Sequence, residues 1–142
     1  MGLELRILEI NCDNTDRLQK FIDGFNGEQH SFRYFKHRTV HVVVNHIFTF
    51  LLLRGEQAVG YGHLDKENDR VWLGIVVKKE YQGLGLSKEI MKILINKAIE
   101  LNVATIYLAV DDDNIKAKKL YGNFGFTLKE TFEHHSIYEK AL

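Results

Sequence analysis

Leu3, Leu5 and Ile7 alternate with Glu4 and Arg6, the period of two that a half-buried strand requires. The run closes on Asn11, Asp13 and Asn14, residue types that turn a chain and cap helices. A helix is predicted next, because Leu18, Phe21, Ile22 and Phe25 recur at helical spacing, and it stops among Gly24, Asn26 and Gly27. Residues 28–46 show no single period. Phe32, Tyr34, Phe35, Val40, Val42, Val43 and Val44 are interleaved there with Arg33, Lys36, His37, Arg38 and His41, and no element is assigned. Three β-rich runs follow, at residues 48–54, 58–64 and 70–77, separated by turn-like stretches at 55–57 and 65–69; they predict an antiparallel meander. The period then changes: Leu86, Ile90, Ile93, Leu94, Ala98 and Leu101 predict a long helix entered through Gly83 and Gly85. Residues 105–110 read as a short strand and residues 111–114 as caps. Ile115, Ala117, Leu120, Tyr121 and Phe124 read as a second helix closed by Gly125, and residues 126–132 and 136–141 as a final strand pair. The order is that of a mixed α/β fold with a crossover after the third meander strand, where chemistry is expected.

Size and charge narrow this picture. With 142 residues, 45% of them apolar, the chain can bury one core and is too short for two ordinary domains, so a single domain over residues 1–142 is expected. Lys plus Arg equal Asp plus Glu at 19 each, leaving no basic excess to hold nucleic acid or an anionic membrane. The longest apolar run, residues 47–53, is far below the roughly 18 residues of a spanning helix, and the acidic N-terminus does not read as a signal peptide. The single cysteine, Cys12, cannot form an internal disulfide, which makes the cytoplasm the expected compartment. Proline is absent, so turns depend on the 11 glycines and on Asn and Asp.

The turn Gln82-Gly83-Leu84-Gly85-Leu86-Ser87-Lys88 lies between a strand and the long helix. Glycines there can aim several N–H groups at one anion, and the helix dipole adds about half a positive charge. On these residues alone, a tight turn needing positive φ explains the glycines as well. The string required of a P-loop does not occur, and Lys88 stands where a dinucleotide fingerprint needs its third glycine. Residues 73–94 resemble the acyl-CoA-binding motif of the GNAT superfamily of N-acetyltransferases, Q/R-x-x-G-x-G/A after a strand ending V-x-P-x-Y. The chain has Val77-Lys78-Lys79-Glu80-Tyr81 and then the glycine turn, with Lys79 at the usual proline and Ser87 at the usual last small residue. A second match lies downstream: Asn114, Ala117, Leu120, Tyr121, Gly125 and Phe126 follow the family's N-x-x-A-x-x-L-Y-x-x-x-G-F.

The resemblance implies a mixed, mostly antiparallel central sheet of about seven strands flanked by about four helices. It also implies an acetyl-CoA-dependent N-acetyltransferase. Acetyl-CoA would place its pyrophosphate on the amides of Gly83, Leu84, Gly85, Leu86 and Ser87, with Gln82 bracing the loop and Lys88 within reach of phosphate. The pantetheine arm would pair with the backbone of Ile75, Val76 and Val77, in a slot made by splaying that strand from the next. Tyr121 would be the general acid for the departing thiolate, and Asn114 would cap its helix and reach the cofactor amide. Without the surrounding motif Tyr121 reads equally as a packed helix residue.

The amine needs a base or water route. Many relatives carry a Glu on the strand at residues 70–77, and this chain has no acid there. His63, Asp65, residues 111–113, His134 and His135 are the alternatives. His37 and His41 are four apart, but no H-E-x-x-H frame surrounds them and no metal is expected. Cys12 lies far from both motifs, which favours direct transfer in a ternary complex over an acyl-enzyme. Residues 31–38 mix aromatic and basic side chains, as a nucleotide-linked amino sugar would need, and as an ordinary amphipathic helix would also show. The expected acceptor is a small-molecule primary amine. Protein or peptide amines and a non-catalytic acyl-CoA-binding module are the alternatives, and the terminal strands offer edges that a homodimer could pair.

Overall fold

A seven-stranded sheet, ordered β1-β2-β3-β4-β5-β7-β6, carries the helices on its two faces. The computed structural model describes residues 4–25, 33–35 and 38–142. Along the chain come β1 (Leu5–Glu9), α1 (Thr15–Asp23), β2 (Phe48–Arg54), β3 (Gln57–Glu67), β4 (Arg70–Val77), α2 (Leu86–Glu100), β5 (Thr105–Asp111), α3 (Ile115–Asn123), β6 (Thr127–Thr131) and β7 (His135–Ala141). The mixed, mostly antiparallel sheet expected from sequence is the one observed: among the described residues only β4 and β5 pair in parallel. Of residues 28–46, the described parts form 3₁₀ turns at Arg33–Phe35 and Val40–Asn45. Leu3, Asn26, Gly27, Ser31, Phe32, Lys36 and His37 lie outside the described residues.

One apolar layer lies between the sheet and α2, where Ile90, Met91, Leu94 and Ala98 meet Phe50, Leu52, Leu73, Ile106 and Leu108. The other joins α1 and the 3₁₀ segment to Leu51, Leu53, Tyr61 and Val76 through Leu18, Phe21, Phe35, Val40 and Val43. β2 is covered on both faces, which is why Phe48 to Leu53 reads as a continuous apolar run broken only by Thr49. β3 is longer than its apolar stretch predicts. Asp65, Lys66 and Glu67 pair with Trp72, Val71 and Arg70, and the reversal is confined to Asn68 and Asp69 at φ +54° and +62°. Such a two-residue turn with both centres left-handed matches the strand twist, and Asn and Asp tolerate it. Among the described residues no helix is long and apolar enough to cross a membrane.

Candidate active site

β4 and β5 are paired only at Val71 with Ile106 and at Trp72 with Tyr107. From Leu73 and Leu108 onward the two strands part, and because they are parallel both C-terminal ends lie on the open side. On its other edge β4 stays bonded to β3, with Ile75 opposite Gly62, Val76 opposite Tyr61 and Val77 opposite Gly60. The side chains of Ile75 and Val77 pack in the α2 layer and Val76 in the α1 layer. A fork of this kind leaves the backbone donors and acceptors of alternate residues at the free end of β4 facing a gap, where an extended ligand can pair as an added strand.

The chain leaves the free end of β4 through a 3₁₀ turn at Lys79–Tyr81 and enters α2. Gln82 Nε2 donates to the Val77 carbonyl at 3.3 Å, tying the loop to the strand end. Gly83 and Gly85 lie at φ +84° and +79°, and a Cβ on either would meet nothing within 4 Å. They are glycines for backbone conformation, not for space. The first helical bond of α2 runs from Glu89 N to Gly85 O, and among the described residues no acceptor is found for the amides of residues 83–88. Leu84 and Lys88 are exposed, Ser87 is half-buried and Leu86 is buried. Unpaired amides at the positive end of a helix dipole are suited to an anion.

α3 is started by Asn114, whose Oδ1 accepts from Ala117 N at 3.1 Å. The helix carries Tyr121 into the same apolar layer as Val77, Leu86, Leu108 and Val110, with its ring edge-on to Phe126 at 6.0 Å. Burial pushes the Tyr121 phenol up to about 12. Its hydroxyl has no hydrogen-bond partner among the described residues, and none of their polar side-chain atoms is both shielded and unpartnered, so the hydroxyl keeps contact with solvent. The group is a protonated phenol with its proton uncommitted.

The model of the acetyltransferase (GNAT) family matches residues 12–126. The chain belongs to the GNAT family. A "Probable spermine N(1)-acetyltransferase" of Bacillus subtilis subsp. natto is 45% identical over 64 residues, which are 44% of this chain and 42% of that protein. A spermine/spermidine N(1)-acetyltransferase of Bacillus subtilis is 44% identical over the same length and shares. The match thus spans under half of either curated relative. Among solved structures, an N-acetyltransferase from Thermoplasma acidophilum in complex with coenzyme A superposes with a TM-score of 0.74 over 99% of this chain and 100% of that one, at 16% identity. That likeness is one of fold, and it extends GNAT topology over the N-terminal part of the chain that the two sequence motifs do not reach.

On the α1 face of this GNAT sheet lies a polar cluster that the sequence shows only in fragments. Tyr34 Oη donates to Asp65 Oδ2 at 3.0 Å and lies 2.6 Å from His46 Nε2, while His46 Nδ1 lies 2.6 Å from Thr49 Oγ1. His63 Nδ1 lies 2.6 Å from Tyr61 Oη. Burial first, then the Asp65 carboxylate, raises the Tyr34 phenol, and burial lowers both His46 and His63 below the usual imidazole range. Alternation along β3 brings Tyr61, His63 and Asp65 to one face from sequence alone; Tyr34 and His46 come from the segment without a period. Within that segment Arg38 stacks over the Tyr34 ring at 4.2 Å, with Nη1 donating to the Tyr34 carbonyl. Cys12 is exposed, and no group of three metal-ligating side chains occurs among the described residues.

Proposed function

We propose that this chain is an acetyl-CoA-dependent N-acetyltransferase, folded as one domain, that acetylates a primary amine of a small molecule by direct attack in a ternary complex. One observation carries the reading: the unpaired backbone at the β4–β5 fork and the unpaired amides of residues 83–88 are contiguous, joined only by a short 3₁₀ turn. An extended chain ending in a pyrophosphate fits that pair of features. Ile75, Val76 and Val77 would hold the arm, and Gly83, Leu84, Gly85, Leu86 and Ser87 would hold the phosphates with Lys88 alongside. Asn114 sets the start of α3 and with it the place of Tyr121. Bound acetyl-CoA supplies an acyl carbon with a thiolate leaving group. Tyr121, kept protonated by burial, donates to that sulfur as the C–S bond breaks.

The acceptor we favour is a polyamine. The relatives named above act on spermine and spermidine by their names. A pocket of about 340 Å³ at the end of β5, lined by Asp111, Asp112, Asp113, Glu133 and His134, offers negative charge on the open side of the fork. The Ser136 hydroxyl, followed by Lys118, holds the Asp112 carboxyl below its usual range, so it is anionic. A nucleotide-linked amino sugar would bring phosphates to this acidic side, and Tyr34 and Arg38, which belong to the aromatic and basic stretch at residues 31–38, are engaged with His46, Asp65 and each other.

Calorimetric titration with acetyl-CoA should show binding in the wild type and its loss in Gly85→Glu, which sets a carboxylate among the amides. Thiol release with spermidine, an amino sugar and a lysine peptide then ranks the acceptors. Tyr121→Phe should lower kcat about 10²–10⁴-fold without loss of acetyl-CoA affinity. Binding without thiol release on any amine would instead make the chain a non-catalytic acyl-CoA module.

A further inference from the structure

The strand register puts Thr49, His63 and Gly74 in one row across β2, β3 and β4. Gly74 is two residues past the last pairing of β4 with β5, so the row ends at the mouth of the fork. A Cβ on Gly74 would lie 2.5 Å from both Cε1 and Nε2 of His63, so the imidazole edge occupies the space that a side chain at position 74 would take. β4 has no acid of its own; the titratable group at its centre comes from β3 instead. The sheet surface beside it is accessible: Trp72, Gly74 and Tyr107 are half-exposed and Ala109 is exposed. His63 is only 3% exposed. Its Nε2 has no hydrogen-bond partner among the described residues, and since no polar side-chain atom among them is both shielded and unpartnered, that remaining exposure includes Nε2.

We propose that His63 is the catalytic base of this chain: with its own proton on Nδ1 and shared with Tyr61 Oη, its Nε2 takes a proton from the acceptor amine at the fork. The proposal rests on the transferase reading above. Burial, with His46 and Arg38 adding to it, holds this imidazole well below the usual 6.5, so it is neutral throughout the neutral range and does not retain a proton it has taken. Among the described residues the groups that face it are Tyr61 on its own strand, the Tyr34 ring at 4.4 Å with Arg38 over that ring, and the His46 ring at 4.7 Å. Asp65 contacts Tyr34 and His46, at 3.0 and 4.0 Å, and β4 presents no charge there.

The amine arrives as an ammonium ion and releases one proton to solvent. Its nitrogen lone pair forms the N–C bond to the thioester carbonyl carbon as Nε2 accepts a second proton from nitrogen. The C–S bond breaks, and the sulfur takes the Tyr121 proton. The imidazolium returns its proton and the phenolate regains one, so the sum is amide, free thiol and one proton from ammonium and thioester.

Wild type, His63→Gln and His63→Ala are compared for thiol release with spermidine from about pH 6 to 10, with acetyl-CoA affinity measured by calorimetry. Both variants should lose about 10²–10⁴-fold in kcat near neutral pH while keeping that affinity. The loss should persist as pH nears the roughly 10 of an alkyl ammonium, because the free amine forms to the same extent for every variant, and added imidazole should restore part of the rate to His63→Ala. Variants with wild-type kcat and pH profile overturn the proposal and leave the transferase reading intact. A wild type that acetylates no amine overturns that reading and the proposal with it. ¹⁵N NMR of the wild type checks the tautomer whether or not the variants fold: the proton is expected on Nδ1 at neutral pH, and a proton on Nε2 overturns the assignment.

Discussion

Gly83 and Gly85 have left-handed φ with open space around them, whereas Gly74 is held to glycine by the His63 ring. The same substitution should therefore fail for different reasons. Gly85→Ala costs about 1–2 kcal/mol in backbone strain or reshapes the turn, and acetyl-CoA affinity falls with it; chemical unfolding and calorimetry read the two effects. Gly74→Ala overpacks the sheet by about 1–3 kcal/mol and displaces His63, so kcat should fall while acetyl-CoA affinity holds. A Gly74→Ala protein with unaltered kcat would show that the imidazole has no part in the chemistry. The glycine pair at 83 and 85 is legible in the sequence because its meaning is local. Gly74 is silent there, since its meaning is the identity of the residue opposite on β3.

Among the elements, α2 and α3 follow their apolar spacing closely, and the Asn114 cap stands where sequence puts it. Replacing Asn114 with Ala removes the acceptor for the Ala117 amide and should lower stability by about 1 kcal/mol in denaturant unfolding, with a smaller loss in Asn114→Asp or Asn114→Ser. Less of the β3–β4 hairpin is legible. Asp65, Lys66 and Glu67 look like loop by polarity, yet they extend the strand because β4 offers them a full rank of partners. Residues 38–46 gave no period because the described part winds as 3₁₀ turns, which present no lengthwise apolar stripe.

At the scale of the whole molecule, the buried imidazoles of His46 and His63 couple stability to pH. His46 and His63 are both lowered by burial in the folded protein, so below the usual 6.5 the unfolded chain binds protons that the folded chain resists. Stability is therefore present above about pH 6.5 and falls as pH drops below it, and the melting temperature should decline from about pH 7 to 5. The double variant His46→Gln, His63→Gln should show a shallower decline by calorimetry; an equal slope would place the proton uptake elsewhere. The strand and helix periods, the glycine turn and the Asn114 cap were determined by sequence alone, because each is satisfied within a few residues of itself. Tertiary structure decided the fork, which depends on where β4 and β5 cease to pair. It also decided the seat of His63 over Gly74 and the bonds from Tyr34 to His46 and Asp65, 12 and 31 residues away. Local spacing carries no information about such partners; strand register and the packing of the 3₁₀ segment on the sheet bring them together.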